Sequence, residues 1–73
     1  MDEIEKELCQ EAFPQLDSRT REALWRGGLH RWREVEARDD DYLMALPGID
    51  EVRVQRIRDV QAYREAKRAR AHE

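Results

Sequence analysis

Apolar residues in this chain recur every three or four positions, and no stretch alternates apolar and polar residues with a period of two. A spacing of three to four residues places side chains on one face of an α-helix, whereas a half-buried strand needs alternation. The longest such row lies in the last part of the chain and comprises Val54, Ile57, Val60 and Tyr63. The pattern therefore predicts an all-α fold.

Helix-capping and helix-breaking residues divide the chain into five segments. The predicted helices span residues 2–13, 18–26, 31–38, 42–46 and 51–68. Asp17 or Ser18 is expected to cap the second helix, and one of the three aspartates at 39–41 is expected to cap the fourth. Pro14 ends the first helix, because the residue before a proline resists helical angles. Gly27 and Gly28 end the second, because glycine accepts the left-handed angles of helix C-termini.

The apolar rows predict a single core to which all the later helices contribute. Its expected members are Leu24, Leu29, Trp32, Val35, Leu43, Leu46, Ile49, Val54, Ile57 and Val60. A chain of this length buries only about 60% of its unfolded surface, so the core is thin. We expect the first helix to extend this core through Ile4, Leu8 and Phe13, and we interpret Cys9 as a small core residue.

Charge is divided unevenly along the 73 residues, of which 42% are charged. Residues 1–17 hold six acidic residues and one lysine, whereas residues 18–73 hold 13 bases and 11 acids, so the net charge of −3 arises in the N-terminal segment. We expect an acidic N-terminal helix at 1–16, one helical domain at 17–68 and a frayed polar tail at 69–73. Because a dedicated nucleic-acid binder is usually basic, the charge alone does not favour that class.

A single cysteine and the lack of long apolar runs bear on location. Cys9 has no partner for a disulfide within the chain, which suits a reducing cytoplasm. No apolar run is long enough for a signal peptide or a membrane helix. We therefore expect a cytoplasmic protein without a membrane partner.

No arrangement typical of catalysis occurs, neither a nucleophile paired with a base nor a glycine-rich phosphate loop. His30 has no neighbours at metal-ligand spacing and is interpreted as a solvated turn residue. The aspartates at 39–41 are adjacent, whereas a calcium loop alternates its ligands around a glycine. The sequence predicts a binding protein rather than an enzyme, with no cofactor and no small-molecule substrate.

A tight turn separates the fourth and fifth predicted helices. The turn and its apolar neighbours comprise Leu43, Leu46, Pro47, Gly48, Ile49, Val54 and Ile57. In this order they resemble a helix–hairpin–helix motif, in which a Pro-Gly-apolar turn packs two short helices antiparallel. The apolar residue of such a turn fills the space between the two helices.

The segment upstream of the turn extends the likeness. Residues 18–29, followed by Trp32 and Val35, resemble the C-terminal domain of the bacterial RNA polymerase alpha subunit. That domain has a leading helix, a glycine-containing turn and a short helix before its helix–hairpin–helix unit. The likeness covers residues 18–62 and implies a SAM-like, compact bundle of about five short helices. It also implies binding to the DNA minor groove and docking onto transcription proteins.

The resemblance assigns DNA contacts to particular positions. Arg19 matches a groove-inserting arginine, and Arg53 replaces a phosphate-contacting serine. Glu22 and Val52 replace a supporting asparagine and a phosphate-binding lysine, and Asp50 replaces a glycine whose backbone N–H approaches a phosphate. A carboxylate ~4 Å from a phosphate is repelled by about 1 kcal/mol even across water. We therefore predict weak contact with the DNA backbone, through Arg19, Gly48, Arg53 and Arg56.

A protein partner is the main alternative to DNA. Trp25 is flanked by Arg21 and Arg26, and both residue types are enriched at interface hot spots. These three are the predicted protein-binding residues, although Trp25 fits equally well as a core residue lying across the first helix. The acidic first helix is a second candidate surface, either as an imitation of nucleic acid at a basic partner or as a solvated face.

A structural dimer is the third hypothesis. In it, Ile4, Leu8, Cys9 and Phe13 pair between two chains along the first helix. The DNA hypothesis comes first on the fold analogy alone, which does not by itself establish a function.

Overall fold

The computed structural model describes residues 2–71 of the chain and the side chains of residues 2–70. Within this part it contains five α-helices and no strand, so the all-α prediction is confirmed. The helices are α1 (Glu3–Ala12), α2 (Ser18–Arg26), α3 (Trp32–Glu36), α4 (Asp40–Met44) and α5 (Glu51–Ala71). The bundle is compact, with a Cα radius of gyration of 12.4 Å.

Aspartates cap four of the five helices at their N-termini. The carboxylates of Asp2, Asp17 and Asp39 accept hydrogen bonds from the backbone N–H three residues later, at 2.8, 3.2 and 2.8 Å. Asp50 does the same at the start of α5, at 2.9 Å. Each cap satisfies a backbone donor that lacks a partner within its helix, which explains why these helices start where they do.

Four helices differ in their bounds from the prediction, and of these α1 is shorter by one residue at each end. α4 covers Asp40–Met44 rather than 42–46, because Asp39 is its cap and the chain turns towards α5 two residues earlier than predicted. α3 covers Trp32–Glu36 rather than 31–38. α5 continues to Ala71, past the expected end at residue 68. The predicted fraying of residues 69–73 stays a prediction, and residues 72 and 73 lie outside the described part.

The turn after α2 uses its two glycines for different reasons. Gly28 has a φ of +85°, and Leu29 N donates to Leu24 O at 3.0 Å, which completes a helix-terminating Schellman turn. Gly27 has an ordinary φ of −79°, so the expectation of left-handed angles is wrong for that residue. A Cβ at Gly27 would lie 2.7 Å from a methyl carbon of Leu46, so this glycine allows α2 to approach the turn between α4 and α5 (residues 45–50), which is called the hairpin below.

One apolar cluster forms the core, largely as predicted. The expected members that are buried are Leu24, Leu29, Trp32, Val35, Leu43, Ile49, Val54 and Ile57. Leu46 and Val60 are only partly buried against this cluster, and Tyr63 is 65% exposed because the three-residue repeat drifts around α5. The core also includes Phe13 and Leu16, which join α1 and the following loop to the domain.

Arg58 on α5 ties the end of the core to α4. Its guanidinium donates to the carboxylate of Asp40 at 2.7 Å and to the carbonyl of Arg38 at 2.6 Å. The carbonyl lies in the loop between α3 and α4, so one side chain holds both that loop and the start of α4 against α5. This contact fixes the position of α4 relative to α5.

Candidate functional site

The segment between α4 and α5 makes a close turn beside α2. Gly48 has a φ of +89°, which favours glycine, and Ile49 N donates to Leu46 O at 3.1 Å. Ile49 is buried between the two helices. A Cβ at Gly48 would lie 3.7 Å from the Cβ of Ala23, so the turn rests directly on α2.

An open groove lies between α2 and this turn. Its lining includes Arg19, Glu22 and Arg26 from α2, and Gly48, Asp50 and Arg53 from the turn and α5. Three of the four predicted DNA-binding residues therefore converge on one surface although they are distant in the sequence. The groove carries three arginines and two carboxylates, so its charge is mixed rather than uniformly basic.

Arg53 is already engaged by the protein itself. Its Nη1 donates to the Asp17 carboxylate at 2.9 Å and to the Thr20 hydroxyl at 3.0 Å, and its side chain is only 24% exposed. Hydrogen bonding from Thr20, with a further contribution from Arg53, lowers the pKa of Asp17 below its ordinary value. Nη1 is thereby committed to tying α5 to the start of α2, which limits what Arg53 can offer a phosphate.

Asp50 occupies the position at which the resemblance predicts a glycine beside a phosphate. Its Oδ1 accepts from Arg53 N at 2.9 Å, so the carboxylate itself covers the first turn of α5. An external anion that approaches the backbone N–H groups at the start of α5 is therefore repelled by the Asp50 carboxylate. The protein thus supplies its own anion to the hairpin.

Arg56 lies outside the groove. It is exposed and lines a neighbouring shallow depression together with Val52 and Arg53. Val52 is 77% exposed, so the position at which the resemblance predicts a phosphate-binding lysine faces solvent but carries no charge. Arg53 borders both surfaces and separates Arg56 from the groove.

The predicted protein-binding residues make three different contacts. Arg26 lines the groove, whereas Arg21 donates to the carbonyl of Leu16 at 3.1 Å. Trp25 is half-buried against the core, and its ring stacks on exposed His30 with 4.0 Å between centroids. The structure therefore leaves only Arg26 of the three on the groove.

The first helix divides into a buried and an exposed side. Cys9 and Phe13 are fully buried, while Ile4 is 69% and Leu8 is 47% exposed. Burial raises the pKa of the Cys9 thiol, which makes it a poor nucleophile. The prediction that Ile4 and Leu8 extend the core is wrong, because the face of α1 that meets α2 is the one bearing Cys9.

One contact in this region was not predicted from the sequence, namely the pairing of Arg53 with Asp17. The two residues lie 36 positions apart, and Asp17 was identified only as a helix cap. A local pattern contains no signal for such a pair, because the contact depends on how α5 crosses α2.

Other kinds of site find little support in the described residues. No group of three or more His, Cys, Asp or Glu side chains between residues 2 and 70 is placed to hold a metal ion. Across the same part of the chain, none of the helices is both long enough and apolar enough to span a bilayer. Comparison of the chain with protein-family models, curated proteins and solved structures finds no match. The likeness of residues 18–62 to the polymerase domain therefore stays a prediction.

Proposed function

We propose that this chain is a non-enzymatic binding module of the DNA and transcription machinery, which contacts the backbone of duplex DNA weakly in the groove between α2 and the hairpin. The proposal rests on one observation, the convergence of Arg19, Gly48 and Arg53 on that groove. Arg19 is exposed there, and arginine binds phosphate through paired donors. The small size of the domain and its short turn suit surface contact rather than chemistry.

The charges around the groove limit the strength of this contact. Asp50 and Glu22 oppose an approaching phosphate, and Arg53 is partly neutralised by Asp17. We therefore expect duplex affinity in the nonspecific range of about 10⁻⁴–10⁻⁶ M, falling steeply as salt rises.

Fluorescence anisotropy on a labelled duplex at two salt concentrations tests the proposal. Asp50→Gly removes the carboxylate from the hairpin and is expected to tighten binding, and Arg19→Ala in that background is expected to weaken it again. Arg70→Ala is the matched control, because it removes the same charge from an exposed position outside the groove. A flat response in every variant at low salt, or an equal loss in Arg19→Ala and Arg70→Ala, would contradict the proposal.

A protein adaptor is the second candidate, and the exposed face of α1 favours it. Ile4 and Leu8 lie four residues apart on this helix and are exposed among acidic residues. Apolar side chains framed by charge are typical of a protein-binding surface. On this hypothesis the partner belongs to the transcription machinery and meets α1, while the groove has no role.

Binding to RNA polymerase purified from the source cells separates the two candidates. The adaptor hypothesis expects measurable binding that a double variant, Ile4→Ser with Leu8→Ser, abolishes and that Arg19→Ala leaves unchanged. Both α1 positions are exposed, so the double variant is expected to fold normally. Loss of binding in Arg19→Ala instead would assign the contact to the groove.

A further inference from the structure

A second pocket lies between α3 and the C-terminal half of α5, and it shares no lining residue with the groove. Four arginines line it, namely Arg31, Arg33, Arg64 and Arg68, together with Trp32 and a single carboxylate from Glu36. The chain as a whole carries a net charge of −3, so this concentration of arginine departs from the average of the molecule. A cleft lined mainly by positively charged side chains attracts anions.

Two side chains that line this pocket each hold a buried nitrogen atom without a hydrogen-bond partner among the residues that the structure describes. These atoms are Nε1 of Trp32 and Nη1 of Arg64. Trp32 is only 6% exposed, and the Arg64 guanidinium lies 4.9 Å from the centre of its ring. Both groups can only donate hydrogen bonds, and buried donors in native proteins are nearly always satisfied.

Stacking on Trp32 explains the position of the Arg64 guanidinium but supplies no acceptor for its N–H groups. A guanidinium stays charged at any physiological pH, so Arg64 cannot remove its unpaired N–H donor by losing a proton. Neither buried nitrogen atom has an acceptor within the described part of the chain, and the surplus of arginine at the pocket favours an anion as the partner of these side chains.

We propose that this pocket binds a phosphate group, with Arg64, stacked on Trp32, at its base and Arg68, Arg31 and Arg33 at its rim. A phosphate monoester carries three terminal acceptor oxygens and a charge near −2, whereas a carboxylate offers two oxygens and one charge. Four guanidinium groups provide more donors than a carboxylate can accept, and they match the larger anion. The site is independent of the proposed function, because it uses none of the groove residues.

Titration with inorganic pyrophosphate, followed by nuclear magnetic resonance of the tryptophan indole N–H signals, tests the proposal directly. We expect the Trp32 indole signal to move in a saturable way as the anion binds against Trp32 and Arg64. A Trp25→Phe variant removes the other indole and so identifies the signal of Trp32. No movement of that signal, or a movement that never saturates, would overturn the proposal.

Charge-removing variants locate the binding on the pocket. Arg64→Gln and Arg68→Gln are each expected to weaken pyrophosphate binding by about tenfold or more, as the loss of a charge-assisted hydrogen bond requires. Arg68 is exposed, so its replacement leaves the core intact even if Arg64→Gln lowers stability. Lys67→Gln is the matched control, because Lys67 precedes Arg68 but does not line the pocket. An equal loss in Lys67→Gln would show diffuse attraction and contradict a site.

Two competition arms identify the source of the phosphate. Displacement of pyrophosphate by a duplex oligonucleotide, but not by a phosphate monoester, would contradict the proposal, because a backbone phosphodiester has only two free oxygens and one charge. The opposite result identifies a free phosphorylated molecule. Binding of a short glutamate peptide in place of pyrophosphate would reject phosphate and point to an acidic protein segment.

Discussion

A single missing side chain sets how closely α2 approaches the hairpin. A Cβ at Gly27 would lie 2.7 and 3.1 Å from the two methyl carbons of Leu46. The backbone angles of Gly27 suit any residue, so the obstacle is contact rather than conformation. The groove that carries Arg19 and Gly48 depends on this close approach.

We predict that Gly27→Ala destabilises the domain by about 1 kcal/mol, at the low end of the cost of overpacking because the methyl groups of Leu46 end a flexible and partly buried side chain, and that Leu46→Ala in the same molecule recovers most of that loss. Urea unfolding of the two single variants and the double variant measures the coupling between the sites. Gly28→Ala is the control, because a Cβ at Gly28 would meet no atom within 4 Å beyond its chain neighbours, and its cost comes from the φ of +85°. The free energy of unfolding lost in Gly28→Ala is expected to be the same with or without Leu46→Ala. If the effects of Gly27→Ala and Leu46→Ala simply add in the double variant, the contact argument is wrong.

Two helices, α2 and α5, are joined by the polar contact of Arg53 with Asp17 and Thr20. The folded state lowers the pKa of Asp17, so folding favours the deprotonated carboxylate. The stability that this contact contributes is therefore complete above the ordinary aspartate pKa. It is lost as pH falls through that value towards the lower pKa of the folded state.

Asp17→Asn is expected to lower stability at neutral pH by about 0.2–1 kcal/mol, as for other largely exposed ion pairs, and to reduce the further loss on acidification below pH ~4. Urea unfolding at neutral pH and at pH ~3 measures both effects. Asp41→Asn replaces an exposed aspartate that forms no ion pair in the described part of the chain, and it is expected to change neither. Parallel pH profiles for wild type and Asp17→Asn would show that the pair does not contribute.

Helix starts could be predicted from the sequence better than helix ends or the contacts between helices. Four of the five starts depend on a nearby cap, such as Asp17 or Asp39, whose partner is three residues away. The contacts of Arg58 with Asp40 and of Arg53 with Asp17 span 18 and 36 positions, so no local pattern contains them. The sequence therefore predicted most residues of the candidate site, but not the pairing of Arg53 with Asp17 that limits how Arg53 can bind a phosphate.

The whole molecule depends on α1 more than its acidic sequence indicates. Phe13 is fully buried and meets Trp32 edge to face, with 5.4 Å between ring centroids. With Cys9 buried as well, the dimer hypothesis retains only Ile4 and Leu8 for contact with a second chain. The first helix thus belongs to the same core as the predicted domain at 17–68.

Deletion of residues 1–14 is expected to destabilise a monomer, and Phe13→Ala alone is expected to cost about 3–5 kcal/mol. Thermal unfolding measures the loss, and sedimentation at several protein concentrations measures the assembly state. Ile4→Ser is the control, because its side chain is exposed and its replacement leaves the core unchanged. A concentration-dependent dimer that becomes monomeric on deletion would support the dimer hypothesis instead.

The cap of α5, Asp50, can be exchanged for glycine in evolution at little cost. Glycine at an N-cap is weaker than aspartate by only a few tenths of a kcal/mol, so the stability of α5 is a weak reason to keep Asp50. A single-nucleotide change converts an aspartate codon into a glycine codon. Selection for tighter duplex binding therefore has a short route at this position, with little loss of stability. Under the proposed function, an aspartate at this position is the expected result where selection has not favoured tighter duplex binding.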